Sequence, residues 1–265
     1  MRADDLLYSN YHAKEAFSYS IAKQILNNPN RWALGIDKPR TQALDFGSLA
    51  HDLVLSPNEM QSKYLFAQCD KIDFRTAEGK GYKAQAEADG LILIDKSTYN
   101  LAKACINANS EVFDRYLNDS QGECEVSFFE KIDNIEAKCR CDFFSHDENR
   151  IIDLKFVKDA TPQGFAKACA EFGYHIQNAF YCDLTGASEF LFIAIEKESP
   201  FLCGIYRLSQ ESVDLGRDLY KKALEIYKNR KSYATQCYKG IDLAFGIKDE
   251  VQTITLPTWA FFKNV

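Results

Sequence analysis

The stretch from Cys139 to Lys158 constrains the fold more than any other. It reads as two short strands joined by a polar turn, the first ending at Asp142 and the second carrying Ile151 to Phe156. Side chains alternate along a strand, so Asp153 and Lys155 share one face while Ile152 and Leu154 share the other. Two charged groups on an otherwise apolar strand are costly to bury without partners. A carboxylate pair that holds a metal, with the lysine facing a phosphate or an attacking water, would supply that partnership.

The 265-residue chain shows no internal repeat and no low-complexity linker, which predicts a single domain over 1–265. No window approaches a membrane span; the longest apolar run, Phe190 to Ile195, suits a buried strand. The first residues lack a hydrophobic signal core, so the expected compartment is cytoplasmic. Nine cysteines include Cys139-x-Cys141 but no Cys-x-x-Cys pair, a spacing that predicts reduced, packed thiols rather than zinc. The net charge of −6 counts against a nucleic-acid ligand at first sight. Carboxylates awaiting a metal soften that objection, and basic residues are concentrated at 63–83, 155–167 and 217–231.

In chain order, Ser18 or Ser20 is the expected cap of a helix ended by Asn28-Pro29. A second helix, 43–55, carries Gly47 and His51 on one face, the glycine permitting close approach of another backbone. Phe74 to Gly81 reads as a loop. Leu91 to Ile94 reads as a strand followed by one helix to about Leu117 that covers the sheet. Glu123 to Lys131, the turn Asp133-Asn134 and Ile135 to Phe144 then form a meander with the Asp153-x-Lys155 strand. A helical region over 162–186, bent at Gly173, places Tyr174, Gln177 and Tyr181 on one stripe. Two more strands, 189–195 and 201–208, extend the sheet, and a basic helix spans 209–231.

Several marks occur in a shared order: Asn-Tyr-His at 10–12, Ser-Tyr-Ser-Ile-Ala-Lys at 18–23, and Leu-Asp-Phe-Gly-Ser-Leu-Ala-His at 44–51. They continue with Glu125-Val-Ser, Cys-Arg-Cys-Asp at 139–142 and Ile-Asp-Leu-Lys at 152–155. The last are Tyr-His-Ile-Gln-Asn-Ala-Phe-Tyr at 174–181 and Leu-Pro-Thr-Trp-Ala at 256–260. On these marks the chain resembles the RecE-type (exonuclease VIII) family of PD-(D/E)xK nucleases. The resemblance implies an α/β fold with a central mixed sheet flanked by helices, a restriction-endonuclease-like core. It implies that His51, Asp142, Asp153 and the Leu154 carbonyl ligate Mg²⁺, or Mn²⁺, and that Lys155 orients or activates the attacking water. Gln177 would contact the scissile phosphate or that water, supported by Tyr174 and Tyr181. Glu125 would be an outer or second-metal carboxylate. Phe156 stands where the family has threonine, but on the face opposite Lys155.

Family members degrade linear double-stranded DNA from an end, 5′→3′, releasing 5′-mononucleotides. The resemblance therefore implies duplex DNA ends as substrate and a homotetrameric ring. It further implies a single-strand annealing partner of the RecT type in the recombination of phage or prophage DNA. Two other readings use the same fold. Many Cas4-like or helicase-associated nucleases hold an iron–sulfur cluster with one cysteine upstream of the core and three near the C-terminus, yet here no cysteine precedes His51 and only Cys203 and Cys237 lie in the last stretch. A non-catalytic DNA-binding or assembly module is disfavoured by the intact set His51, Asp142, Asp153, Lys155 and Gln177.

Overall fold

A computed structural model describes residues 2–3, 11, 13–36, 42–118, 122–231, 251, 253 and 255, with 2–3 and 42–45 described through the backbone only. His12, Cys237 and the mark at 256–260 lie outside the described residues. Strand β1 is Arg2–Ala3. Helix α1, Tyr19–Asn27, starts where the Ser18 hydroxyl accepts the Ile21 amide at 3.4 Å. Asn28 ends it and caps α2, Pro29–Ala33, by accepting the Arg31 amide at 2.8 Å. Helix α3, Gln42–Leu55, carries His51. A short α4, Met60–Lys63, leads into β2, Tyr64–Phe66.

The expected loop at 74–81 is instead the start of α5, Ala77–Asp89. The Thr76 hydroxyl accepts the Gly79 amide at 3.0 Å, an N-cap that outweighs the low helix propensity of Gly79 and Gly81. Gly79 is required there, because a Cβ would lie 2.1 Å from the Asp73 carbonyl oxygen. Strand β3, Ile92–Ile94, does not join the main sheet; it pairs in parallel with β2. The single helix expected to follow is two, α6 (Lys96–Ala108) and α7 (Ser110–Leu117). Buried Asn109 sits at the break and donates to the carbonyls of Cys105 and Phe201, at 3.0 and 3.2 Å.

Strands β4 (Gly122–Ile132), β5 (Ile135–Ser145) and β6 (Arg150–Val157) form the expected antiparallel meander. Asp133 and Asn134, both at positive φ, make the hairpin turn between the first two. Helices α8 (Pro162–Phe172) and α9 (Tyr174–Thr185) meet at Gly173, whose φ of 76° the left-handed cap requires. They carry the chain to β7, Glu189–Glu196, which lies parallel to β6. Strand β8, Cys203–Tyr206, closes the edge, and α10, Gln210–Lys228, follows from a Ser209 cap. The sheet order is β1-β4-β5-β6-β7-β8, a mixed sheet flanked by helices on both faces.

Each face has its own core. Phe17, Phe165, Phe180 and Tyr220 pack on one face with Phe190, Phe192 and Ala194 of β7. Leu49, Ala102, Cys105 and Phe113 pack on the other with Leu191, Ile193 and Ile195. This double coverage is why β7 is a continuous apolar run. Each fully buried Phe or Ile contributes about 1.5–3 kcal/mol. Strand β6 repeats the alternation, with Ile152 and Leu154 in the second core. Asp153, 1 % exposed, sits where that pattern calls for another apolar side chain.

Candidate metal centre

The β4–β5 ladder pairs Cys124 with Phe143 and Val126 with Cys141, so Glu125 lies directly across from Asp142. Two opposed carboxylates destabilise a ladder. Here the regular pairing is interrupted at that step, and Glu125 adopts φ 57°, a left-handed conformation that a non-glycine residue holds only where the surroundings impose it. The alternation of β5 also breaks at this point: Cys141 packs in the first core and Phe143 in the second. The strand runs past Asp142 to Ser145, one residue beyond the expected span 135–144.

The β5–β6 ladder stops after Phe143 and Ile152. Beyond it the Asp142 carboxylate, not the backbone, accepts the Leu154 amide at 2.8 Å. The two strands part here and the site opens between them. From α3, His51 reaches in, with Nε2 2.9 Å from Asp142 Oδ2 and Nδ1 3.6 Å from Glu125 Oε1. One ligating atom from each of His51, Glu125 and Asp142 falls within 4.8 Å of the others. Gly47 does not have the expected role: a Cβ there would meet nothing within 4 Å.

Asp153 is not one of the three groups that fall within 4.8 Å of one another, but its charge interacts with Asp142 and His51. Its Oδ1 is ion-paired with Lys155, and its Oδ2 accepts the Gln177 side-chain amide at 2.8 Å. The other side-chain atom of Gln177, Oε1, is buried with no hydrogen-bond partner. Lys155 also stands 4.9 Å over the Tyr174 ring, a cation–π contact. Phe156 points the other way, its ring 6.2 Å from that of Phe46. Tyr181 lines the cleft together with the triad and with Tyr11, Tyr19, Ser18 and Ser20. The cleft has a volume of about 260 Å³.

The charges are strongly coupled. Burial works to lower the His51 pKa, but Asp142, with Asp52 and Glu125, holds it well above the usual histidine range. Burial also opposes ionisation of Asp142, yet His51, Lys155 and the Leu154 amide keep its carboxyl below the usual range. Glu125 is pushed up by burial and by Asp142, against His51 and Arg140. Burial and the Asp142 charge push Asp153 up to about 7, against Lys155 and His51. Burial disfavours the Lys155 charge, but Asp153 and Asp142 more than offset that and raise it.

A divalent cation fits this donor set. Adjacent ligands about 2.1 Å from an octahedral ion stand about 3 Å apart, close to the His51–Asp142 separation. The carboxylates are hard donors, and a raised imidazole pKa means that a proton now fills the role of the positive charge between them. Two residues of the site were not singled out by the sequence reading. Arg140 donates from Nε to Glu125 Oε2, and Asp52 accepts from the Tyr64 hydroxyl at 2.7 Å and Lys63 at 3.1 Å. The alternation Arg140, Asp142 was a usable signal for the first, since it puts both on one face of β5.

Comparison with known proteins agrees with this architecture. A candidate exonuclease from Eubacterium rectale superposes with a TM-score of 0.61 at 15 % identity, over 99 % of this chain and 100 % of its own. A phage-related exonuclease from Haemophilus somnus 129PT, 14 % identical, matches at a TM-score of 0.35 over 63 % of this chain and 85 % of its own. No curated protein matches. The family model described as a PDDEXK-like domain of unknown function (DUF3799) matches residues 16–239. With its mixed sheet, its Asp142 and Asp153-x-Lys155 core and that match over most of its length, the chain belongs to the PDDEXK-like DUF3799 family.

Proposed function

We propose that the protein is a metal-dependent exodeoxyribonuclease of the RecE (exonuclease VIII) type. It would hydrolyse linear duplex DNA 5′→3′, release 5′-mononucleotides and leave a 3′ strand for annealing. The observation that supports this reading is the His51–Glu125–Asp142 triad lining an open cleft, with the buried Asp153–Lys155–Gln177 cluster coupled to it by charge through Asp142. His51, Asp142 and Asp153, with the Leu154 carbonyl, would hold Mg²⁺ or Mn²⁺, and Glu125 would stand beside them. A bound divalent cation supplies a water deprotonated at neutral pH and neutralises charge on the phosphate.

The chain's own groups do the rest. Lys155, held protonated by its acidic neighbours, orients the attacking water and offers a charge to the developing phosphorane oxygens; one such donor is worth about 3 kcal/mol. Gln177 is bound at one end by Asp153, which leaves its buried Oε1 to accept a hydrogen bond from that water. Tyr174 and Tyr181 fix the two sides of that position. A tetrameric ring around the duplex and an annealing partner of the RecT type belong to the same proposal, supported by the ordered sequence marks.

The test is a comparison of end-labelled linear duplexes with a closed circle, with and without Mg²⁺. Mg²⁺-dependent loss of the 5′ label as mononucleotide, with the circle untouched, is expected. Nicking of the circle, or loss from the 3′ end first, would replace this reading with another nuclease of the fold.

A further inference from the structure

Among the described residues that line the cleft, Arg140 is a basic side chain that pairs with a member of the triad. Its position is built. It stands opposite Ser127 on the β4–β5 ladder, two residues from Asp142 and on the same face. Its Nε donates to Glu125 Oε2, its Nη1 lies 3.5 Å from the Ser127 hydroxyl, and its guanidinium is 6.0 Å from the centre of the Tyr11 ring. Tyr11 is fixed in turn, because buried Lys138 donates to its carbonyl at 2.7 Å and lies 4.6 Å over its ring.

The Glu125 carboxylate is thus held at both ends. Oε2 belongs to Arg140, and Oε1 faces His51 Nδ1 at 3.6 Å. The backbone at Glu125 is left-handed and the ladder pairing is interrupted there, so regular strand geometry does not set the direction of its side chain. The Arg140 contact supplies that orientation.

We propose that Arg140 is a positioning residue of the metal centre. By holding Glu125 Oε2 it keeps Oε1 turned toward His51 and Asp142, and so tightens binding of a divalent cation. This rests on the reading of the triad as a metal centre. The proposal makes a claim of sign. A fixed positive charge beside a cation site repels the cation, so electrostatics alone says that neutralising Arg140 tightens binding. Orientation says the reverse, since loss of a group that orients a ligand weakens metal affinity by about 10- to 100-fold.

The experiment is Mn²⁺ affinity of the full-length protein without DNA, read from the paramagnetic resonance of the free ion. It uses the parent, Arg140→Gln, Glu125→Gln, the double variant and His51→Ala, each checked for a cooperative melt. Arg140→Gln is expected to bind about 10- to 100-fold more weakly. It should add little further loss in the Glu125→Gln background, because the two act as one unit. Parental or tighter affinity in Arg140→Gln overturns the proposal, and so do additive losses in the double variant. Where Arg140→Gln does not fold, Arg140→Lys carries the test. It keeps the charge but loses the planar donor fork, and parental or tighter affinity there overturns the proposal equally. Full Mn²⁺ affinity in His51→Ala would instead remove the metal centre itself, and the proposal with it.

Discussion

Two acid clusters, one lining the cleft and one buried, differ in how their charge is met. Asp153 is 1 % exposed and already has a cation and an amide from its own chain, Lys155 and Gln177. The triad of His51, Glu125 and Asp142 is partly open, with the His51 side chain 25 % exposed, and sets two carboxylates face to face. A buried charge persists only when it is paired. At Asp153 the partners are Lys155 and Gln177; at the triad they are Arg140 and a protonated His51, whose proton a divalent cation would replace. On the proposed reading Asp153 would serve twice, as a ligand of that cation and as the group that holds Lys155 and Gln177, whereas Lys155 would only act on what the cation holds.

The largest expected effect tests that separation. Lys155→Ala should reduce DNA cleavage by at least about 10²–10³-fold, the usual loss for one positioned electrostatic donor, while Mn²⁺ affinity stays near the parental value. Asp153→Ala should lose cleavage to the same extent and lose Mn²⁺ affinity as well. Both variants should melt cooperatively. Cleavage in either at the parental rate would mean that the Asp153 cluster is structural. Equal loss of affinity in both would mean that Lys155 is part of what holds the cation.

A smaller effect appears in stability against pH. The Asp153 carboxyl is pushed up to about 7 by burial and by Asp142, far above its unfolded value. The folded state therefore binds a proton more tightly than the unfolded one between these values. The metal-free protein should lose stability as pH rises from about 4 to about 7, by up to a few kcal/mol, and change little above that from this group. His51 acts in the same direction, since its raised pKa stabilises the fold only while it is protonated. Asp153→Asn should melt higher than the parent at pH 8 and alike at pH 4.5. Mg²⁺, which replaces protons, should stabilise the parent more at pH 8 than at pH 6. A parent whose melting temperature does not fall over that range would show that Lys155 fully compensates Asp153.

Much of the fold was legible because its signals are local or periodic. Ser18, the Asp133-Asn134 turn, Gly173 and the apolar run at 190–195 each act through neighbours in sequence. So did the alternation that puts Asp153 and Lys155 on one face. What escaped depends on contacts distant in sequence. The pairing of β2 with β3 joins Tyr64 to Ile92. The break at Asn109 is fixed partly by the Phe201 carbonyl. The left-handed Glu125 is imposed by groups on α3 and β5. The helix at 77–89 is a different case, since Thr76 was a visible cap that the two glycines obscured. In the site, the acids were legible as residue types, but their division into an open and a closed cluster was not. That division follows from where β5 and β6 part, which no spacing encodes.

The smallest expected effect concerns the residues that alternate with the cleft. Cys139 and Cys141 point away from Arg140 and Asp142 and are packed in the first core, at 1 % and 0 % exposure. Burial holds the Cys141 thiol well above its usual pKa, so it is a neutral packing group rather than a thiolate poised for metal. Replacing either with serine exchanges a weak donor for a strong one in an apolar setting, which costs about 1–3 kcal/mol where the hydroxyl finds no partner. Cleavage and Mn²⁺ affinity should remain parental, because both depend on the opposite face of β5. A folded Cys141→Ser that loses Mn²⁺ binding would show that the core thiol and the Asp142 carboxylate are not independent. The strict two-faced reading of this strand would then fail at the residue where its alternation already breaks.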